Sequence, residues 1–504
     1  MKQAIFHLFY LVFVACLMAA CHDDIAAPDP PEDPIDSIGP LPTIAWDEAS
    51  ARFRIYTDET LTLVPIVGNT DSTSTFLWTM NDSVVSREFH YSFLSTKPGE
   101  FFVRLVVTNL NGSAEDEAKI TVLQSENTQL PEIPAEHRLW YSAWDEINMA
   151  MGRTIKIKVH PLEIPENANF LWSLDNAPFK ASTLPDKLEY LFDATEQGRH
   201  TVTLLMESPA ATATQNFQIN VCPTAGTYRR SFEGNALVNN IYEFMPAPGH
   251  QVNGYIIVGD SYPEDCTHEQ ACDTVLAHFQ RRWSISLGSQ GGYLIAGFDH
   301  SVRNSGGDYD LCIKGNPYNY QSEPGIIWVS QDDNGDGLPN DQWFELAGSE
   351  YGTARHTTDY AITYYRPAAK KSATAWRDCF GQTGYVPYMS YWNPHDFYWQ
   401  PWVEGYEHTY FGSRLEDRST YEGGISDIPP YDWGYADNLG SDFIDGRAGK
   451  MNYFRLSNAR TWDGEPANLE YIDFIKIQTA QIGSTKNLGD ISTEIYYISD
   501  YHCE

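Results

Sequence analysis

The sharpest chemical pattern in the chain is SQDDNGDGLPNDQWFEL (330–346). Asp332, Asn334 and Asp336 stand at alternate positions and Gly337 follows, the D-x-[DN]-x-[DN]-G opening of a calcium loop. Calcium takes about six to eight hard oxygens, and alternate side chains of a tight loop turn several carboxylates inward. The Leu338 carbonyl, Asn340 and Asp341 are the next oxygens along the chain. Trp343 stands where a bidentate Glu ordinarily closes the shell, so Glu345 is the candidate replacement. The cofactor expected here is structural Ca2+, with no organic cofactor. The alternative is a solvated turn whose Asp and Asn side chains bond their own backbone.

A second pattern is aromatic. Residues 385–411, YVPYMSYWNPHDFYWQPWVEGYEHTYF, hold eleven aromatic residues. Pro387, Pro394 and Pro401 interrupt the stretch, which rules out a regular helix or a central strand. Aromatic faces stack on sugar rings and other planar ligands, while Tyr O–H and Trp N–H add directional bonds. The candidate ligand platform is Tyr391, Trp392, Tyr398, Trp399 and Trp402, with His395 and Asp396 as hydrogen-bonding neighbours. The alternative is a satellite core beneath a long loop.

Other constellations are weaker. DWGYADNLGSDFIDGRAGK (432–450) carries Asp432, Asp437, Asn438, Asp442 and Asp445 at irregular spacing and reads as a solvated acidic loop. In CTHEQAC (266–272), Cys266 and Cys272 are the nearest cysteine pair and are expected to form a disulfide. A zinc site with His268, or plain thiols, are the alternatives. G-x-S-x-G, H-E-x-x-H, P-loop and dinucleotide fingerprints are all missing. A glycosidase needs only two facing carboxylates, which spacing does not reveal. A net charge of −35 opposes phosphate backbones and anionic lipid, so no nucleic-acid partner is expected.

These residues must be held by β structure. FLWTMND (76–82) repeats as FLWSLDN (170–176), and HYSFLSTKPGEFFVRLVVTN (90–109) as EYLFDATEQGRHTVTLLMES (189–208). Apolar residues alternate in both copies, the period of half-buried strands, and a Gly turn precedes each long strand. Trp78 and Trp172 are placed to fill sandwich cores. Beyond residue 223, short apolar runs such as YLIAGF (293–298), GIIWVS (325–330), YAITYYR (360–366) and YIDFIKIQT (471–479) alternate with Gly, Pro, Asn and Asp clusters. Helical patterning is best over 268–283. The fold class expected is all-β: two immunoglobulin-like sandwiches followed by a larger β-sandwich or jelly roll.

At the N-terminus, Lys2, an apolar run from Ala4 to Ala20 and Met18-Ala19-Ala20-Cys21 read as a cleaved signal. Its end resembles a bacterial lipobox, which makes Cys21 the lipidated residue. Residues 22–44 read as a Pro-rich stalk.

The two repeats resemble the PKD-like repeats of bacterial surface proteins. Taken with YEFMPAPGHQVN (242–253), GGYLIAGFDHSVRNSGGDYDLCIKGN (291–316), ITYYRP (362–367), DWGYADN (432–438) and YIDFIKIQTA (471–480), the chain resembles Bacteroidetes cell-surface lipoproteins. That resemblance divides it into a signal peptide (1–21), stalk (22–44), PKD-like domains (45–124 and 131–222) and a ligand-binding sandwich (223–504). It implies an outer-membrane protein, held by its lipid anchor only and facing the cell exterior. The implied role is non-catalytic capture of a glycan or corrinoid beside a TonB-dependent transporter. A glycan-active hydrolase and an adhesin or structural surface protein are the competing classes.

Overall fold

The computed structural model describes residues 39–46, 51–57, 60–97, 99–123, 141–142, 146–161, 164–209, 212–230, 235–252, 266–319, 321–389, 398–422, 425–485 and 489–503. Cys21, the signal and most of the stalk lie outside them, as do Tyr391, Trp392, His395 and Asp396. The described chain is nearly all β, with one α-helix, His268–Arg281. It divides into two compact units: residues 1–51, 62–92 and 102–119, and residues 52–61, 93–101 and 120–504.

In the first unit, strand Thr75–Met80 turns through Asn81 and Asp82 into strand Ser83–Ser86. Both turn residues have positive φ (49° and 59°), the conformation that a tight hairpin demands and that Asn and Asp tolerate. Trp78 is fully buried, donates its indole N–H to the Glu88 carbonyl at 2.9 Å, and packs near Trp46 and Tyr91.

In the second unit, residues 141–222 form an immunoglobulin-like sandwich. One sheet runs in the order Glu146–Ala150, Thr212–Cys222, Gly198–Glu207, Asn169–Leu174; the other runs Tyr141–Ser142, Thr154–His160, Glu189–Asp193. Trp172 repeats the role of Trp78: it is buried and donates to the Lys187 carbonyl at 2.9 Å. The turn after it again places Asp175 and Asn176 at positive φ. Both tryptophans are core residues, as the spacing of the repeats predicts. Strand TIKIKVH (154–160) alternates cleanly. Ile155, Ile157 and Val159 enter the core, which leaves Lys156, Lys158 and His160 together on the outer face.

The rest of the second unit is built on a six-stranded antiparallel sheet. Its order is Asn240–Met245, Tyr293–Arg303, Tyr471–Thr479, Gly325–Ser330, Trp343–Leu346, Ala459–Arg460. One face packs Leu294, Ala296, Ile475, Ile477, Ile327, Val329 and Phe344 into the main core. Leu311, Ile313, Phe454 and Ile498 meet them from a four-stranded sheet, and Ala271, Val275 and Phe279 from the helix. Thr267 caps that helix, with Gln270 completing the reciprocal box. A further four-stranded sheet, in the order Thr383–Val386, Thr374–Asp378, His356–Tyr365, Glu407–Leu415, has its own aromatic core.

The expected Cys266–Cys272 disulfide is not formed; both are buried thiols. Cys272 lies one turn into the helix, its Sγ 3.6 Å from His268 Nε2, and Cys266 Sγ donates to the Thr267 carbonyl at 3.4 Å. Among the described residues Cys266, His268 and Cys272 belong to no metal-competent group of three, and His268 Nε2 accepts the Phe244 N–H at 3.3 Å.

Candidate ligand cleft

The second face of the six-stranded sheet carries the site. Glu243 lies opposite Ile295, Ile295 opposite Lys476, Lys476 opposite Trp328, Trp328 opposite Glu345, and Glu345 opposite Arg460. Residues directly opposite share a face. These six therefore form one row crossing every strand, and all six line a cleft of about 570 Å³. Its opposing walls are the Lys156, Lys158 and His160 row of the immunoglobulin-like sandwich and His408, Tyr410 and Phe411 of strand Glu407–Leu415. Trp343, Tyr351 and Trp462 add aromatic surface, and Trp462 is 39% exposed.

The polar groups of the row are mostly held by neighbours. Glu243 accepts the Tyr293 hydroxyl at 2.6 Å. Lys476 stands 4.4 Å from the Tyr293 ring and 6.0 Å from the Trp328 ring, and donates to the Phe411 carbonyl at 3.4 Å. Burial drives the Lys476 amine down to about 8, and Glu243 opposes that shift. Lys156 pairs with Asp359 at 2.5 Å. The Trp328 indole N–H is different: it is buried and has no hydrogen-bond partner. An unmet donor of this kind costs about 1–3 kcal/mol, which an acceptor on a ligand would recover.

Burial also keeps two cleft histidines neutral. His160 is depressed to about 4 by burial, with Lys158 adding to it, and His408 to about 4 by burial alone. Unfolding restores an ordinary imidazole, so their contribution is present above about pH 6.5 and lost as pH falls towards 4. Each is worth at most roughly 3 kcal/mol, and less where solvent reaches the ring. Urea unfolding midpoints should therefore fall from pH 7 to pH 4.5, and by less in His408→Gln. Parallel pH profiles for the two proteins would rule this out.

The acidic loop differs from its expected form. Asp336 accepts the Leu338 N–H at 2.8 Å and the side-chain amides of Asn334 and Asn340 at 2.7 and 3.0 Å; Asp332 accepts the Gly337 N–H at 3.0 Å. These are the bonds of a self-satisfied turn. Glu345 does not belong to the loop. It lies on a strand facing the cleft, 2.8 Å from His356 Nε2, and it accepts the Ser413 hydroxyl at 2.6 Å. Yet Asp332 Oδ1, Asp333 Oδ1 and both oxygens of Asp341 are buried without a hydrogen-bond partner. Burial pushes the Asp341 carboxyl up to about 9, with repulsion from Asp333, Asp332 and Asp336 adding to it. The loop is also docked on the immunoglobulin-like sandwich. Asn148 donates its N–H to the Asn340 carbonyl at 3.0 Å and its side-chain amide to Asn340 Oδ1 at 2.8 Å; Arg153 pairs with Asp333 at 2.7 Å.

Of the described members of the expected aromatic platform, Tyr398 and Trp399 are core. Tyr398 is 1% and Trp399 6% exposed. Trp402 is partly buried against the same clusters, its ring 6.1 Å from Phe244. Tyr398 and Trp399 therefore offer no open face to a ligand. The 432–450 segment is likewise not a solvated loop throughout: Asp437, Asn438 and Asp442 are buried.

Sequence reasoning missed the cleft row, although a signal was present. YIDFIKIQT reads as an apolar strand, but a strand buried on both faces cannot hold a lysine without a reason. Lys156 and Lys158 in TIKIKVH, and Trp328 in GIIWVS, carry the same signal.

No protein-family model matches the chain, and no curated protein matches it. Among solved structures, 36% of the chain is similar to fibronectin(III)-like modules of Clostridium thermocellum CbhA, at 13% identity, over 94% of that chain, with TM-score 0.15. The titin domains Z1Z2, solved in complex with telethonin, match 36% of the chain at 14% identity, over 96% of theirs, with TM-score 0.14. Sidekick-1 immunoglobulin domains 1–4 match 41% at 13% identity, over 52% of theirs, with TM-score 0.14. The class assigned here, an all-β protein containing an immunoglobulin-like sandwich, rests on the chain's own strand order and cores.

Proposed function

We propose that this chain is a non-catalytic surface protein that captures a short glycan in the cleft between its immunoglobulin-like sandwich and the six-stranded sheet. The observation that carries this reading is the row Glu243–Ile295–Lys476–Trp328–Glu345–Arg460 lining a cavity of about 570 Å³. A drug-sized ligand needs about 300–1,000 Å³ of mostly apolar wall with a few polar groups. Trp343, Tyr351 and Trp462 supply faces for sugar rings, and the Trp328 N–H supplies a donor for a hydroxyl oxygen. A complete corrinoid with its nucleotide loop is larger than a drug-sized ligand, so a glycan of a few rings fits better.

The row argues against a hydrolase built on its two carboxylates. Glu243 and Glu345 stand four strands apart, roughly 19 Å at about 4.8 Å per strand. Paired glycosidase carboxylates sit about 5–9.5 Å apart. In this reading Cys21 carries the lipid, the Pro-rich stalk reaches outward from the outer membrane, and the captured ligand passes to a TonB-dependent transporter. Tethering raises the ligand's effective concentration beside that transporter.

Calorimetric titration of the full chain with mono- to tetrasaccharides tests the reading. Saturable binding without turnover is expected. Cleavage of the glycan would favour the hydrolase class. A tight complex with cobalamin and none with any glycan would reassign the ligand.

A further inference from the structure

We propose that Glu323, Asp437 and Glu494 form an oxygen-lined site, separate from the 332–341 loop, that takes one divalent cation of the calcium type. The three carboxylates come from separate segments: Glu323 precedes strand Gly325–Ser330, Asp437 follows Tyr435 and Ala436, and Glu494 opens strand Glu494–Ile495. One oxygen of each lies within 4.8 Å of the others. Ligands about 2.3–2.6 Å from one calcium ion span that distance.

The backbone fixes the arrangement. The Glu323 N–H bonds the Asp437 carbonyl at 3.0 Å, and Gly325 and Ala436 exchange both their bonds at 3.0 and 2.9 Å. Asp437 accepts the Asn316 N–H at 2.7 Å and the Glu494 N–H at 2.9 Å, one on each oxygen. Glu323 accepts the Ser492 N–H at 3.1 Å. Gly315 is required for this fit, because a Cβ there would stand 2.5 Å from Asp437 Oδ1. Each of these bonds occupies one lone pair of a carboxylate oxygen and leaves another open.

A second observation points to a missing ligand. Glu494 is 3% exposed, and its Oε1 is buried without a hydrogen-bond partner. Asn316 Oδ1 is also buried and unpartnered, on the residue whose N–H already bonds Asp437. Carboxylate and amide oxygens are the ligands a hard cation selects. Three carboxylates out of water repel one another unless a counter-charge or protons join them. Lys314 favours the ionised form of Asp437, while Asp490 adds repulsion at Glu323. Glu323 is half-buried, while Asp437 and Glu494 are buried.

The other metal-competent group among the described residues, His300, Asp500 and Cys503, is ruled out by its own bonds. Both ring nitrogens of His300 are held, by Asp299 at 2.6 Å and Asp500 at 3.0 Å.

The test is calorimetric titration of the chelator-stripped full chain with CaCl2, repeated with Tb3+ read by tyrosine-sensitised emission. Glu494→Gln and Asp437→Asn should each weaken one binding event at least tenfold, an event that Asp341→Asn leaves intact. Glu323→Gln, at a half-buried position, reports the same event should the buried variants fail to fold. The proposal is overturned if the wild-type chain binds no cation, or if Glu494→Gln and Glu323→Gln bind the same number of ions with unchanged affinity.

Discussion

Trp328→Ala is expected to lower glycan affinity by roughly 30-fold, about 2 kcal/mol, the usual loss at a buried aromatic hot spot. The ring faces the cleft beside Lys476, and its N–H is a buried donor with no partner. The substitution removes stacking area and the donor together. Trp328→Phe separates the two, because it keeps a ring and loses only the N–H. Its expected loss is smaller, about 1 kcal/mol. The same order, Ala worse than Phe, should hold at Trp462 for stacking alone. Wild-type affinity in Trp328→Ala, with a native far-UV spectrum, would remove Trp328 from the site.

The second large effect concerns calcium at the 332–341 loop, which we propose as a structural latch. Four buried carboxylate oxygens there lack partners, and the loop is bonded to Asn148 and Arg153 of the immunoglobulin-like sandwich. An ion at a hundred times its Kd would add about 2.7 kcal/mol of stability. Asp341→Asn should act with opposite signs in two buffers. With chelator it removes a buried acid that nothing satisfies, so the melting temperature holds or rises. With calcium it removes a ligand, so the calcium-induced rise shrinks or disappears. A calcium response identical in wild type and Asp341→Asn would exclude this residue. The latch and the cleft are linked, since Asn340 and Asp341 line the cleft as well. Calcium should therefore also tighten glycan binding.

Much of the architecture could be read before any coordinates. Period-two alternation in the long strands of the two repeats, the repeated Trp and the Gly turn before each strand all act locally, so they appear in a single stretch of chain. The site could not be read in the same way. Its row draws one residue from each of six strands separated by up to 233 positions, from Glu243 to Lys476, and only register brings them together. The aromatic stretch misled for a related reason. Density of Tyr and Trp does not distinguish a platform from a core, and Tyr398 and Trp399 prove to be core. Glu345 misled because a strand begins at Trp343, and the pleat carries it away from the loop into the cleft row. Asp437 looked solvated within an acidic run, yet it is 1% exposed because the backbones of Asn316 and Glu494 close over it.

Photo-cross-linking with a diazirine-bearing glycan tests the cleft most directly. After irradiation and digestion of the full chain, label should appear on peptides carrying Trp328, Trp343 and Trp462, and free glycan should compete it away. Label confined to residues 385–402, or spread without competition, would contradict a binding site on the outer face of the six-stranded sheet.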